Sequence, residues 1–308
     1  MIKQIFTLNE KKYIESILKN KYWMLTERPK AILDLLSQYY YEVMNIRKKG
    51  IAEKLIAFLK DRYPKYNENP KYWDSACESI AKTTGGINLF ECSGIPVTEP
   101  ELIKIAFIEN PAGIDNKALK RLMFTILVVG KYQRMRNPKN QYGYINIKTI
   151  DLFQLARVNC SPKERLLMLN ALYNQELIGY PKNGNDNCRP TFIDDESKGK
   201  IFVTDLRELG YQYNKICGDT YFRCKKCGKL IKPNSANAKS KLCKECADTA
   251  NITTARCVDC GKLFAKDVRA AVRVRCADCQ KKRNTKAKKD WKNRKVNTPE
   301  KPHKQAKN

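Results

Sequence analysis

The 308-residue sequence predicts a mostly α-helical protein that ends in two small cysteine-rich units and a basic tail. Apolar residues recur at helical spacing through most of the first 215 residues, which is typical of packed α-helices. Two four-cysteine arrays follow, and the last 28 residues carry 12 basic and 2 acidic side chains. We therefore expect an N-terminal helical domain, an α+β domain, two small units and a tail, at residues 1–84, 98–215, 221–250, 254–280 and 281–308.

The N-terminal domain is predicted from its helix start signals and its apolar periodicity. Thr7 and Glu10 have the spacing of a capping box ahead of a first helix. In the second helix Tyr39 and Tyr40 lie among leucines at helical spacing, which predicts that they pack in a core and do not form a base-stacking platform. Gly50 is expected to break this helix, and two further helices follow.

The second domain is expected to form around one long helix. Thr98 and Glu101 predict a capped helix start. The run Leu122–Val129, in a helix over about 116–132, is apolar on every side. A helix of this kind is buried on all its faces, so it should be the centre of this domain's core.

The segment after the long helix predicts strands and helices in a definite order. Ser161 and Glu164 have capping-box spacing. The expected elements are a strand at Tyr144–Ile147, a helix from Thr149, a helix at Pro162–Gln175 with an inward stripe of Leu166, Leu169 and Leu172, a strand at 176–180, and paired strands at Thr191–Ile193 and Lys200–Thr204. This order, with a leucine stripe that ends in ELIGY, resembles a winged helix-turn-helix over residues 116–204.

That resemblance implies a recognition helix at Pro162–Gln175 that enters the major groove of DNA. Lys and Arg suit phosphate or guanine, and Asn suits adenine. The contacts expected from this helix and the following hairpin are Lys163, Arg165, Asn170, Asn174, Lys182 and Arg189. One alternative is that these side chains form an ordinary solvated helix face. Another is that they form a protein-binding surface, because many winged helices bind proteins instead of DNA.

Eight of the thirteen cysteines form two arrays with identical internal spacing. The first contains CKKCGKL at 224–230 and CKEC at 243–246, and the second contains CVDCGKL at 257–263 and CADC at 276–279. Each array has fifteen residues between its inner cysteines, and the arrays start 33 residues apart. Paired CxxC motifs at such spacing are typical of tetrahedral Zn²⁺ held by four thiolates. We expect two structural zinc ions per chain, held by Cys224, Cys227, Cys243, Cys246, Cys257, Cys260, Cys276 and Cys279.

The arrays resemble rubredoxin-knuckle zinc ribbons, in which CxxCGKL forms the first knuckle and CKEC or CADC the second. The second ribbon is the better candidate for nucleic-acid contact because it carries arginines, whose planar guanidinium binds phosphate and stacks on bases. Its expected contacts are Lys266, Arg269, Arg273 and Arg275. The order of helical domain, winged helix, two ribbons and basic tail resembles uncharacterised proteins of phages and mobile elements.

Charge and histidine content limit the class of function. The formal net charge of +28 predicts an anionic partner, which is nucleic acid or less often an anionic membrane face. The winged-helix resemblance implies that the nucleic acid is double-stranded DNA. The single histidine, His303, excludes Ser-His-Asp triads and HExxH zinc sites. We therefore predict a protein that is not an enzyme, although a metal-dependent nuclease built on carboxylates remains open.

The leading interpretation is a zinc-containing DNA-binding protein that regulates a phage or mobile element or assists its replication. Neither a signal peptide nor a membrane span is expected, and cysteines at metal spacing indicate a reducing compartment such as the cytoplasm. The alternative is a protein-interaction module whose ribbons bind host RNA polymerase or another host protein. The tail is expected to be disordered when unbound, or a basic helix in part.

Overall fold

The computed structural model of this chain is mostly α-helical and separates into two compact units. One unit, here the helical unit, contains Met1–Arg223 and Lys229–Pro233, and the other, the C-terminal unit, contains Cys224–Gly228 and Asn234–Asn308. The structure describes residues 7–19, 29–86, 88–109, 111, 113–181, 188–234, 239–244, 246–247, 252–261, 263–267 and 274–296.

The helical unit begins with helices that bury one apolar cluster. They are α1 (Glu10–Lys19), α2 (Pro29–Glu42), α3 (Lys48–Arg62), a 3-10 helix (Pro64–Glu68) and α4 (Pro70–Thr83). The cluster includes Ile14, Leu36, Leu55 and Trp73. Tyr40 is buried in it, and the ring of Tyr39 packs against it, as the periodicity of α2 predicts.

Two local predictions for these helices are wrong. The cap of α1 is Asn9, whose Oδ1 accepts a hydrogen bond from the Lys12 N–H at 2.7 Å, and not Thr7. Glu10 instead turns inward, where it accepts a hydrogen bond from the Phe90 N–H at 2.9 Å. Gly50 lies inside α3, and the break between α2 and α3 occurs where Asn45 has a φ of 52°. Asn tolerates the left-handed conformation that such a break requires.

A second apolar cluster forms around one long helix. The surrounding elements are β1 (Ile95–Thr98), α5 (Glu99–Ala106), α6 (Asn116–Arg136), α7 (Thr149–Leu155), α8 (Pro162–Asn174), β2 (Ile178–Gly179), β3 (Arg189–Pro190), β4 (Gly199–Val203) and α9 (Leu209–Ile216). Every residue of α6 from Leu122 to Tyr132 is buried, which confirms the predicted centre of the core. The capping boxes at Thr98 and Ser161 both form.

The strands of this region pair differently from the prediction. Ile178 faces Pro190 in an antiparallel β2–β3 pair, and the Ile145 N–H donates to the Cys188 carbonyl at 2.8 Å. The last strand, β4, does not pair with Thr191–Ile193. It pairs with β1, with Ile95 opposite Val203. A strand partner about a hundred residues away leaves no local signal, because side-chain pattern and turn geometry set register only between near neighbours.

The inward stripe of α8 is also shifted from the prediction. Leu169 and Leu172 are buried with Met168, but Leu166 is 64% exposed and lies on the outer face. Because consecutive helical residues are 100° apart, the buried arc is centred near Leu172 and does not reach Leu166.

The remaining elements are short hairpins and one long helix. They are β5 (Phe222–Arg223), β6 (Leu230–Ile231), β7 (Ile252–Arg256), β8 (Leu263–Asp267) and α10 (Ala277–Val296). The prediction of a disordered tail is therefore wrong as far as Val296, and the partly helical alternative holds there. Among the helices of the described residues, none has the length and apolarity required to cross a membrane.

Candidate metal centres

Two four-cysteine clusters form, with the cysteines that the spacing predicts. The sulfur atoms of Cys224, Cys227, Cys243 and Cys246 all lie within 4.8 Å of one another. The same is true of Cys257, Cys260, Cys276 and Cys279. Four convergent thiols at this distance can hold one metal ion in each cluster.

Each first knuckle closes through a glycine. The Gly228 N–H donates to the Cys224 carbonyl at 2.9 Å, and the Gly261 N–H donates to the Cys257 carbonyl at the same distance. The two glycines have φ values of 72° and 70°, in the region that side chains disfavour. Glycine therefore lets the chain reverse directly after each CxxC pair.

The two clusters share equivalent backbone hydrogen bonds at corresponding described positions. The Lys225 N–H donates to the Lys241 carbonyl at 3.0 Å, and 33 residues later the Val258 N–H donates to the Val274 carbonyl at 3.1 Å. The second knuckles also correspond: the Ala247 N–H donates to the Cys243 carbonyl, and the Gln280 N–H donates to the Cys276 carbonyl. The sequence repeat is thus a structural repeat.

The sulfur distances fit a tetrahedral site. The sulfurs of Cys227 and Cys243 are 3.7 Å apart, as are those of Cys260 and Cys276. Tetrahedral zinc with Zn–S bonds of about 2.3 Å places its ligand sulfurs roughly 3.8 Å apart. A disulfide would bring them to about 2.05 Å. The residues present therefore fit a metal ion, and four thiolates in a tetrahedron are typical of zinc or iron.

Backbone amides favour the thiolate form at one cysteine of each cluster. Burial raises the pKa of Cys224, but the N–H groups of Cys243, Cys227 and Lys226 donate to its sulfur and lower that pKa to about 6. The pKa of Cys257 is also lowered to about 6, mainly because the Cys276 N–H donates a hydrogen bond to its sulfur. These hydrogen bonds favour the thiolate, which is the form that binds a metal ion.

Other thiols of the same clusters hold their protons more strongly. The Cys279 thiol donates hydrogen bonds to the sulfurs of Cys260 and Cys276, which raises its pKa to about 12, and burial raises the pKa of Cys246. A metal ion binds thiolates only, so its binding must displace these protons. Metal affinity therefore rises with pH and falls on acidification.

The candidate nucleic-acid contacts of α8 lie mostly on its outer face. Lys163, Asn170 and Asn174 are exposed. Arg165 is half-buried, and its guanidinium donates to the Cys160 carbonyl at 3.4 Å. The same outer face carries large apolar side chains, with Leu166 64%, Leu167 48% and Tyr173 51% exposed.

The other candidates are more scattered. Arg189 lies over the rings of Tyr142 and Tyr144. Lys266 is half-buried in β8. Arg275 donates from Nε to both carboxylate oxygens of Asp259, at 3.1 and 2.8 Å, so a carboxylate balances its charge. Lys182, Arg269 and Arg273 lie outside the described residues.

Helix α10 was foreseen only as an alternative to a disordered tail, and its start at Ala277, inside the second cluster, was not foreseen. Its first turn contains Cys279, a ligand candidate of the second cluster. Beyond that turn its exposed basic residues are Lys281, Lys282, Arg283, Lys286, Lys288 and Lys289. The helix has no apolar stripe, so periodicity could not reveal it, and the one available signal was the absence of Gly and Pro from 277–296.

No family model, no curated protein and no solved structure matches this chain. Its function is therefore inferred from its own residues.

Proposed function

We propose that the protein is a zinc-containing DNA-binding protein in which two zinc ions are structural and α10 supplies the main attraction to the phosphate backbone. The observation that carries this proposal is the composition of α10. Its twenty residues include nine Lys or Arg and two Asp, and the residues from Lys281 to Trp291 are exposed. A cationic helix of this kind suits the closely spaced charges of a nucleic-acid duplex.

Zinc is the metal that the donor set favours. Thiolate ligands bind zinc well, and a site with four protein ligands leaves no coordination position for substrate. The two clusters are therefore assigned structural roles, and the protein is proposed to bind its partner without a catalytic step.

The helix also has an electrostatic reason to bind a polyanion. Lys282 and Lys286 are four residues apart, and Lys286 and Lys289 are three apart, which are the spacings at which like charges repel on a helix surface. A helix that is polar on every side gains little from packing. Phosphate groups relieve this repulsion, so polyanion binding and helix formation favour each other.

The helical unit supports docking to a duplex. Between α6 and α7 the chain lies beside β3, and β3 pairs with β2, while α7 and α8 precede that pair. This order resembles that of a winged helix-turn-helix, and on that resemblance we propose α8 as the recognition helix. On the resemblance of the domain order alone, we propose a role as regulator or replication accessory of a phage or mobile element.

The proposal is tested by measuring the affinity of the full chain for a 30-base-pair duplex between about 50 and 300 mM salt. We expect log K to fall linearly with log salt, with a slope of about −0.9 for each phosphate contacted. Binding that is absent at the lowest salt, in a preparation with two zinc ions per chain, would rule the proposal out.

Asn170→Ala and Asn174→Ala test whether α8 reads bases. If these amides contact base edges, each variant should lose about 1–3 kcal/mol of preference for the best site while its nonspecific binding persists. Competition binding with selected and scrambled duplexes measures the difference. Lys163→Ala is the matched control, because removal of a phosphate-binding charge weakens all sequences alike. Full preference in both folded Asn variants would show that α8 is not the reader.

A second candidate function is favoured by the apolar part of the same face. Leu166, Leu167 and Tyr173 expose a surface of a composition more typical of protein docking than of a DNA groove. In this alternative the partner of α8 is a host protein. Purification from a nuclease-treated lysate separates the two candidates: a stoichiometric protein that Leu166→Lys releases supports docking, and retention of that protein by the variant opposes it.

A further inference from the structure

The loop between α6 and α7 is held in one shape and presents a tyrosine. The side chain of Asn140 makes two hydrogen bonds across this loop to the backbone of Tyr144. Its Nδ2 donates to the Tyr144 carbonyl at 2.8 Å, and its Oδ1 accepts from the Tyr144 N–H at 2.9 Å. The Gly143 N–H closes the turn on the Asn140 carbonyl at 3.0 Å. Tyr142, at the tip, is 62% exposed.

Two glycines bring this loop directly onto the core. A Cβ at Gly143 would lie 3.0 Å from the Gly130 carbonyl oxygen, and a Cβ at Gly130 would lie 2.7 Å from the ring of Pro190. The loop, α6 and β3 are therefore in backbone contact. Such close packing fixes the position of Tyr142 although its ring contributes little to the core.

An arginine completes the cluster. The guanidinium carbon of Arg189 lies 5.2 Å from the centre of the Tyr142 ring and 5.8 Å from that of Tyr144, and the two rings are 6.1 Å apart. No carboxylate pairs with Arg189 among the described residues, and its buried Nε has no hydrogen-bond partner there. The residue opposite it in the β2–β3 register is Gly179, which has no side chain to cover the guanidinium.

The surrounding charge is positive. Residues 137–148 read NPKNQYGYINIK and contain no acid, and Lys139 and Lys148 are both exposed. Aromatic rings interleaved with cations are the elements from which single-stranded nucleic-acid sites are built, since rings stack on bases and cations follow the phosphates.

We infer that Tyr142, Tyr144 and Arg189 form a stacking site for an unpaired nucleobase, with Lys139 and Lys148 placed for the adjoining phosphates. Arg189 occupies one side of the Tyr142 ring, and the exposure of that residue leaves ring surface for a base. A base within a duplex has both faces covered by its neighbours, so the site selects a base that has left the stack. This inference rests on the proposed nucleic-acid function and adds to it a preference for single-stranded or opened segments.

The test compares three variants of the full chain on a 12-nucleotide single strand and on the matching duplex. Tyr142→Leu removes the ring, and single-strand affinity should fall about 5- to 140-fold, the range that alanine substitution assigns to one stacked base. Tyr142→Phe keeps the ring and should keep most of that affinity. Duplex affinity should be unchanged in both variants.

Tyr72→Leu is the matched control. Tyr72 is 47% exposed and lies under a cation, with Lys30 Nζ 5.1 Å from its ring centre, but it belongs to the N-terminal cluster of helices. Its replacement should change neither affinity.

Four outcomes would overturn the inference. Unchanged single-strand affinity in a folded Tyr142→Leu variant, or an equal loss on duplex and single strand, overturns the inference. A wild-type chain that binds duplex but not single strand overturns it while the proposed function stands. A wild-type chain that binds neither overturns both.

Discussion

Replacing Cys227 or Cys260 with Ser should release one metal ion and unfold the affected cluster, while α1–α9 keep their structure. Structural zinc supplies on the order of 10 kcal/mol in small sites of this kind. The helical unit, in contrast, has two apolar clusters of its own that include no cysteine ligand. We expect elemental analysis to give two zinc ions for the wild-type chain and one for each variant.

The two variants should differ in their effect on α10. That helix starts inside the second cluster, where the Gln280 N–H donates to the Cys276 carbonyl at 3.0 Å and Cys279 belongs to the first turn. A bound metal fixes this turn and so offsets the unfavourable nucleation of the helix. Cys260→Ser should therefore melt α10, whereas Cys227→Ser, in the first cluster, should leave it intact.

Amide hydrogen exchange over residues 281–296 measures this difference directly, and far-UV circular dichroism measures how much helix each variant loses. Acidification should reproduce the effect in the wild-type chain, because metal affinity falls as thiols regain their protons. Protection of α10 that survives release of the second metal would contradict the coupling. Melting of α10 in Cys227→Ser would show that the two clusters do not act independently.

Features encoded within a few residues could be predicted from the sequence. The metal clusters follow from the CxxC spacing, and the capping boxes at Thr98 and Ser161 follow from a side chain that reaches three residues along the chain. The apolar run of α6 likewise determines its own burial.

Features that depend on distant partners could not be predicted. The β1–β4 pair joins Ile95 to Val203, although residues 85–97 fall between the two domains that the sequence predicts. Glu10 looked like a capping residue, but it accepts a hydrogen bond from Arg136, on α6. In the candidate site, Arg275 looked available for phosphate until the fold placed Asp259 beside it. Charge counts predict a basic surface, but only the fold decides which charges are neutralised.

Truncation of the chain after Gln280 should weaken binding to every duplex sequence by a similar factor. The cut removes 12 basic and 2 acidic residues and keeps all eight cluster cysteines. The log–log salt slope should become shallower by about 0.9 for each phosphate contact that is lost. If about five contacts are lost, the slope should change by roughly 4.5. Sequence preference should persist, because binding to phosphates carries no base information.

A charge-removal variant separates the charge of α10 from its helical structure. Glutamine at Lys281, Lys282, Arg283, Lys286, Lys288 and Lys289 retains a high helix propensity and removes six charges. It also removes the repulsion between Lys282 and Lys286, so its α10 should be at least as protected from exchange as in the wild-type chain. If charge supplies the affinity, this variant should shift the salt slope in the same direction as truncation and by about half as much, because it removes six of the twelve basic side chains. A slope that stays unchanged in both variants would show that α10 does not touch nucleic acid.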